Sequence, residues 1–108
     1  MSNLRPECKN GTTAALSESK ALAAIYHAAR RRTGLCEGKL RDNGSRCALG
    51  AFWDERPNAT LATELVDEVA AVNDSVPYMT KRQRRVHVLR WLRWKLDRLG
   101  VSGIRGPR

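Results

Sequence analysis

Four leucines near the end of the chain recur at intervals of three, four and three residues: Leu89, Leu92, Leu96 and Leu99. An α-helix turns once in about 3.6 residues, so this spacing places them on one side of a helix, whereas a strand would alternate them. Thr80 and Gln83 fit a capping box at the start, and Gly100 is a typical residue for the end. The segment is therefore predicted to be an amphipathic helix that must bury its leucines against other helices.

The same periodicity predicts three earlier helices, over residues 13 or 17 to 32, 46–54 and 58–72. Ser45 and Asn58 are the expected N-caps of the second and third, because their side chains can accept a hydrogen bond from the first turn. Gly34 is expected to end the first helix in the left-handed conformation. The second helix is apolar around most of its circumference and is predicted to be central, with Gly50 marking a close approach by another backbone.

The segment between the first two helices is rich in glycine and is predicted to be irregular, with a possible short hairpin at Asn43-Gly44. With 108 residues, the chain is expected to form one domain. The predicted fold is all-α: a single small domain of about four helices over residues 13–100, with a polar lead-in over 1–12 and a basic tail over 101–108. A domain of this size has little room for a deep catalytic cavity.

Positive charge is concentrated at the C-terminal end. Residues 1–78 contain ten Lys/Arg and ten Asp/Glu, which sum to zero, whereas residues 79–108 contain ten Lys/Arg and one acid, Asp97. The formal net charge of +9 therefore belongs entirely to the last 30 residues. A one-sided positive field of this kind attracts polyanions: nucleic acid, an acidic protein surface or an anionic membrane surface.

Neither a secretory signal nor a stretch of the roughly 20 apolar residues that would span a bilayer is recognisable, so no membrane insertion is expected. Cys8, Cys36 and Cys47 are odd in number, which favours reduced thiols and a cytoplasmic location. No C-x-x-C pair is present, so neither a metal nor another cofactor is expected. A Cys/His nucleophile pair is not excluded by sequence, although burial of Cys47 would make its thiol inert.

The last helix carries the strongest functional signal. A helical wheel places two tryptophans and several cations opposite the leucines; the candidate binding residues are Arg84, Arg90, Trp91, Trp94, Lys95 and Arg98. Further cations are expected to assist them, namely Lys81, Arg82, Arg85, Arg105 and Arg108. Cations neutralise phosphates while indole rings stack on bases, so the pattern is typical of nucleic-acid binding. The alternative structural interpretation is that this helix is packed on both sides and that its tryptophans belong to the core.

The sequence accordingly predicts a small non-enzymatic protein that binds nucleic acid or another polyanion through this helix. The alternative is a protein–protein interaction module, either an inhibitor of a host protein or an assembly component, with Trp91 and Trp94 as anchors. No phosphate-binding glycine motif and no recognisable acid–base pair supports an enzyme. The sequence does not predict the oligomeric state.

A resemblance adds a biological setting. The glycine-rich run of residues 34–40 followed by Cys-Ala-Leu-Gly-Ala at 47–51 resembles an uncharacterised family of small proteins from actinobacteria and their phages. Residues 72–74 and 88–92 look similar as well. The resemblance covers residues 16–98 and implies a helical fold and a phage or prophage origin. It implies no activity or site residues, and the basic C-terminal end is heavier here than in the family pattern.

Overall fold

The computed structural model of the protein describes residues 15–38, 40–42 and 44–100. This part of the chain forms four helices, α1 (Glu18–Arg30), α2 (Ala48–Glu55), α3 (Thr63–Asn73) and α4 (Lys81–Arg98), and two short strands, β1 (Arg41–Asp42) and β2 (Ser45–Arg46). α1 packs against α2 and α4, and α3 packs against the same two helices. The predicted all-α fold of about four helices is confirmed. The lead-in at 1–12 and the tail at 101–108 lie outside the described residues.

The core is centred on α1, which packs against α2 and α4, and all four helices contribute buried apolar side chains to it. The side of α1 that carries Leu22, Ile25 and Tyr26 is fully buried, as its spacing predicts. α2 contributes Phe52 and buries nearly its whole first turn, so its predicted central position is confirmed. Leu92 of α4 is completely buried among them.

The glycine-rich connector contains the hairpin. β1 and β2 pair antiparallel, with Arg41 opposite Arg46, and the loop residue Gly44 has a φ of 84°, which favours glycine. The connector also approaches α2 closely: a Cβ added to Gly50 would lie 2.0 Å from the carbonyl oxygen of Leu40. The prediction that Gly50 marks a close backbone approach is thus confirmed.

Two of the predicted helix starts are wrong. Ser45 belongs to β2, and the N-cap of α2 is Cys47, whose Sγ accepts a hydrogen bond from the Gly50 N–H at 3.3 Å. Asn58 does not cap α3, which begins five residues later at Thr63. The carbonyl of Thr60 instead accepts a hydrogen bond from the Leu16 N–H at 3.0 Å, and this tertiary contact replaces the helical bond that local sequence favours.

Gly34 has a different role from the predicted one. Its φ is not positive, whereas Gly38, Gly44 and Gly100 adopt the left-handed conformation. A Cβ on Gly34 would lie 2.8 Å from the Cβ of Lys81, and the neighbouring Leu35 N–H donates to the Lys81 carbonyl at 3.0 Å. The glycine therefore allows the segment that follows α1 to pack against the first turn of α4.

A buried asparagine joins three of these elements. The side-chain oxygen of Asn73 accepts a hydrogen bond from the Ala48 N–H at 3.1 Å, and its amide nitrogen donates to the Cys36 carbonyl at 2.9 Å. The end of α3, the start of α2 and the connector are thus held at one point. Because a buried amide is costly unless it is paired, these bonds help to fix the relative positions of the elements.

Candidate functional site

α4 has the local features that its sequence predicts. Thr80 and Gln83 form the expected capping box, with the Gln83 N–H donating to Thr80 Oγ1 at 3.0 Å and the Thr80 N–H donating to Gln83 Oε1 at 2.9 Å. The helix ends before Gly100, which has a φ of 76°. The leucine stripe faces the core, except that Leu99 at the C-cap is 43% exposed. The candidate binding residues on α4 fall into two groups, one held by the fold and one exposed.

Arg84 belongs to the fold. Its side chain is only 2% exposed, so its expected place on the outer polar side is wrong. Nη1 donates to the carbonyl of Asn73, the last residue of α3, and Nη2 donates to the Val76 carbonyl at 3.0 Å. The guanidinium thus satisfies carbonyls at the C-terminal end of α3, where a cation also offsets the helix dipole.

Arg85 does the same for α1. Its guanidinium donates to the carbonyls of Arg30, at 2.7 Å, and Arg32, at the C-terminal end of that helix. Two consecutive arginines in the first half of α4 therefore cap two different helices. Their guanidinium groups are used within the fold, and only 2% of the Arg84 side chain is exposed.

The exposed group lies further along α4. We define the outer face as the surface formed by Val86, Arg90, Arg93, Trp94 and Arg98. Trp94 is 52% exposed, and the guanidinium of Arg98 lies 5.0 Å from the centre of its ring. Arg90 is exposed one helical turn before Trp94. Within the described part of the chain, none of the three outer-face arginines takes part in an ion pair.

Trp91 and Lys95 occupy the boundary between the two groups. Trp91 is half-buried and packs against the core, and the ammonium of Lys95 lies 5.9 Å from the centre of its ring. Lys95 Nζ also forms an ion pair with Glu68 of α3, at 3.0 Å. The sequence left open whether the two tryptophans are buried, and the answer differs between them: Trp91 packs against the core, whereas Trp94 is half exposed.

Arg93 and Tyr78 were not among the sequence candidates. Arg93 lies at the edge of the helical wheel, and its membership of the outer face depends on how deeply α4 is seated between α1 and α3. Tyr78, in the connector before α4, is 94% exposed. An aromatic residue next to Pro77 in a polar connector was a usable signal for an exposed ring, since it has no periodic apolar neighbours to pack with.

Of the five assisting cations, Lys81 and Arg82 are exposed at the start of α4, whereas Arg85 caps α1. Lys81 Nζ donates a hydrogen bond to Ser45 Oγ at 2.8 Å. Arg105 and Arg108 lie outside the described residues.

The described cysteines are buried. Burial raises the pKa of the Cys47 thiol above its ordinary value, although the hydrogen bond from Gly50 acts in the opposite direction. The burial expected for Cys47 is thus confirmed. His87 shares a hydrogen bond between Nε2 and Ser75 Oγ, at 2.9 Å. In residues 15–38, 40–42 and 44–100, no three Cys, His, Asp or Glu side chains form a group that could hold a metal ion.

None of the described helices has the length and apolar character needed to cross a bilayer.

Comparison with known proteins gave no match to this chain, whether with family models, curated proteins or solved structures.

Proposed function

We propose that this protein is a non-enzymatic binding protein whose outer face on α4 contacts nucleic acid. The observation that carries the proposal is the exposed Trp94 ring between two arginines, Arg90 and Arg98, that have no acidic partner within the described residues. Exposure of a large apolar ring to water is unfavourable, and a ligand that covers Trp94 removes this cost.

The two residue types on the outer face suit the two parts of a nucleic acid. Arginine neutralises backbone phosphates, and each neutralised phosphate releases a counterion, so affinity must fall as salt rises. A base can stack on the indole ring only if the base is accessible, which favours single strands or loops over an intact duplex. Single-stranded nucleic acid is therefore the preferred ligand class.

The alternative is a protein partner with an acidic surface. The exposed apolar residues Val86, Trp94 and Leu99 favour it, since tryptophan and arginine together are the residue types most enriched in interface hot spots. Such a partner would bury Trp94 in a pocket, and its affinity would depend less steeply on salt than that of a nucleic acid.

Fluorescence anisotropy with labelled single-stranded DNA, single-stranded RNA and duplex DNA at two salt concentrations tests the proposal. The test variant is R90Q/R98Q. The matched control is K20Q/R56Q, which also removes two positive charges, but from exposed positions on α1 and at the end of α2. We expect tight binding of single strands to fall steeply with salt. R90Q/R98Q should lower the salt slope by about 1.4, because each phosphate contact on a single strand contributes about 0.7.

Trp94→Ala separates stacking from charge. It should weaken binding of single strands by about tenfold or more and binding of duplex much less, since stacking contributes about 1–3 kcal/mol per base. Equal losses for R90Q/R98Q and K20Q/R56Q would reject the outer face as the site, because only the overall charge would then matter. If no nucleic acid binds even at low salt, a protein partner becomes the leading hypothesis.

The biological setting is part of the same proposal. The resemblance of residues 34–40 and 47–51 to small proteins of actinobacteria and their phages supports a phage or prophage origin. The odd number of cysteines supports a cytoplasmic location, where nucleic acid and host proteins are both available as partners.

A further inference from the structure

A second basic surface lies at the opposite end of α4 from Trp94. The first turn of α4, the hairpin and the segment after α1 surround an open cleft of about 310 Å³. Its polar side chains come from all three elements: Arg32, Thr33, Ser45, Arg46, Lys81 and Arg82. Four of these six are cations, and the other two carry hydroxyl groups that can donate or accept a hydrogen bond.

One carboxylate holds two of the cleft arginines in place. Asp54 at the end of α2 accepts a hydrogen bond from Arg32 at 2.7 Å and another from Arg46 at 2.5 Å, and it also pairs with Arg41 at 2.8 Å. Partial burial raises the pKa of Asp54, but the hydrogen bonds from Arg46 and Arg41 outweigh this and keep the pKa below its usual value. The carboxylate therefore stays charged near neutral pH and orients the two guanidinium groups.

These contacts leave the cleft with an excess of positive charge. Three arginines share the single charge of Asp54, and neither Lys81 nor Arg82 forms an ion pair with an acid among the described residues. A guanidinium has five N–H donors, and Arg32 and Arg46 use only some of theirs on Asp54 and backbone. Donors and charge thus remain for an anion.

We infer that this cleft binds a phosphate group. A phosphate offers several acceptor oxygens in different directions, which suits guanidinium donors arranged on two elements and an ammonium on a third. Lys81 already reaches across from α4 to Ser45 Oγ, so the two walls of the cleft are close enough to be bridged by one group. The volume exceeds that of several water molecules, each of which takes about 30 Å³, so a phosphate fits with its hydration.

This phosphate has two possible sources: a free mononucleotide or the backbone of a nucleic acid. Arg82 and Trp94 are twelve residues apart on one helix, about 18 Å along its axis. A single strand that stacks on Trp94 can therefore be tested for simultaneous contact with the cleft. The inference itself does not rest on the proposed role of the outer face, because it uses a different set of residues.

Titration of the full chain with inorganic phosphate, followed by amide chemical shifts, tests the inference, with sodium chloride at equal ionic strength as the reference. We expect saturable shifts at Gly44, Ser45 and Arg82 that chloride does not reproduce. The variant K81Q/R82Q should weaken phosphate binding by about tenfold or more, because it removes two charge-assisted donors. R90Q/R98Q, which changes the outer face alone, should leave the phosphate affinity unchanged.

K81Q/R82Q is expected to fold, because both side chains are exposed and cations in the first turn of a helix oppose its dipole. Its thermal midpoint should be equal to that of the wild type or slightly higher. Phosphate shifts that match those of chloride, or that persist unchanged in K81Q/R82Q, would overturn the inference even if the outer face binds nucleic acid.

Two further titrations assign the source. If adenosine monophosphate changes the amide chemical shifts of the cleft and competes with inorganic phosphate, the result would support a mononucleotide site. An oligonucleotide that displaces phosphate from the cleft and also perturbs Trp94 would support a backbone phosphate of the same strand. A cleft that binds phosphate while the outer face binds nothing would uphold this inference and reject the proposed function.

Discussion

The two halves of α4 are both rich in cations and have different roles. In the first half, Arg84 and Arg85 satisfy the terminal carbonyls of α3 and α1. In the second half, Arg90 and Arg98 are exposed beside Trp94 and have no acidic partner within the described residues. Each half carries four cations, and the second half also carries one acid, Asp97. The difference shows that a basic helix can be assembled partly from structural cations and partly from cations that remain available to a ligand.

The physical cause of the difference is what each half packs against. The first half of α4 meets the C-terminal ends of two helices, where unpaired carbonyls and the negative end of the dipole attract a cation. The second half runs along α3 through Lys95 and Glu68 and leaves its opposite side open. Four predictions test whether this division holds, and they are given in order of decreasing effect on stability.

Replacing Arg84 with methionine should lower the free energy of unfolding by about 2–4 kcal/mol, because it leaves the Asn73 and Val76 carbonyls without their donor. Urea denaturation followed by circular dichroism measures this loss. Arg82→Met on the exposed side of the same turn is the matched control and should change stability by less than about 0.5 kcal/mol. Similar losses for the two variants would refute a structural role specific to Arg84.

Replacing Arg85 with glutamine should cost about 1–2 kcal/mol, less than the loss at Arg84, because its two acceptors at the end of α1 are partly accessible to water. Hydrogen exchange locates the effect: amides in the last turn of α1 should exchange faster, while those of α3 stay protected. Uniformly faster exchange throughout the domain would contradict a local capping role.

Acidification should weaken the ion pairs that Asp54 and Glu55 form with arginines, and it should leave the outer face unaffected. The pKa of Glu55 is lowered by its hydrogen bond from Arg31, and Asp54 also has a pKa below its usual value. A depressed folded-state pKa stabilises the protein above the unfolded pKa, and this contribution is lost as the pH falls through the folded value. Thermal midpoints should therefore decrease below about pH 4.5.

The variant D54N isolates the contribution of Asp54, because it lacks the carboxyl group whose pKa is lowered. Its thermal midpoint should therefore decrease less on acidification than that of the wild type. Identical pH profiles for D54N and the wild type would show that the cluster around Asp54 contributes no measurable stability.

The smallest effect on stability is expected for R90Q/R98Q, whose free energy of unfolding should stay within about 0.5 kcal/mol of the wild type. The same variant should show the largest loss of nucleic-acid affinity among these substitutions. Parallel denaturation and anisotropy measurements on one preparation check both statements. A large loss of stability would mean that these arginines belong with Arg84 and Arg85 and not with the outer face.

Much of the fold could be predicted from the sequence because it depends on local and periodic features. The capping box of α4, the Asn43-Gly44 hairpin and the close approach at Gly50 all follow from residue types at fixed spacings. The failures share a different cause. Asn58 and Ser45 are good capping residues by themselves. The Thr60 carbonyl, however, accepts a hydrogen bond from Leu16, and the Arg46 carbonyl of β2 accepts one from Cys36, and the local pattern contains neither partner.

The candidate site was predicted less completely than the fold. A helical wheel placed Arg84 among the outer cations because it assigns each residue an angle and assumes that the whole outer side meets water. Near the start of α4 that assumption fails, since the ends of α1 and α3 cover this part of the helix. Further along, the same wheel correctly separates Trp94 and Arg98 from the buried leucines.

The sequence alone therefore determined that the described part of the chain forms four helices, that their leucine and alanine sides are buried, and that all the net charge lies in the last 30 residues. Only the tertiary structure decided which cations remain available. Arg84 and Arg90 are chemically identical, and one is buried and the other exposed because helix ends supply carbonyl acceptors to the first and not to the second. Partner groups of this kind come from residues far away in the chain, so no local pattern can specify them.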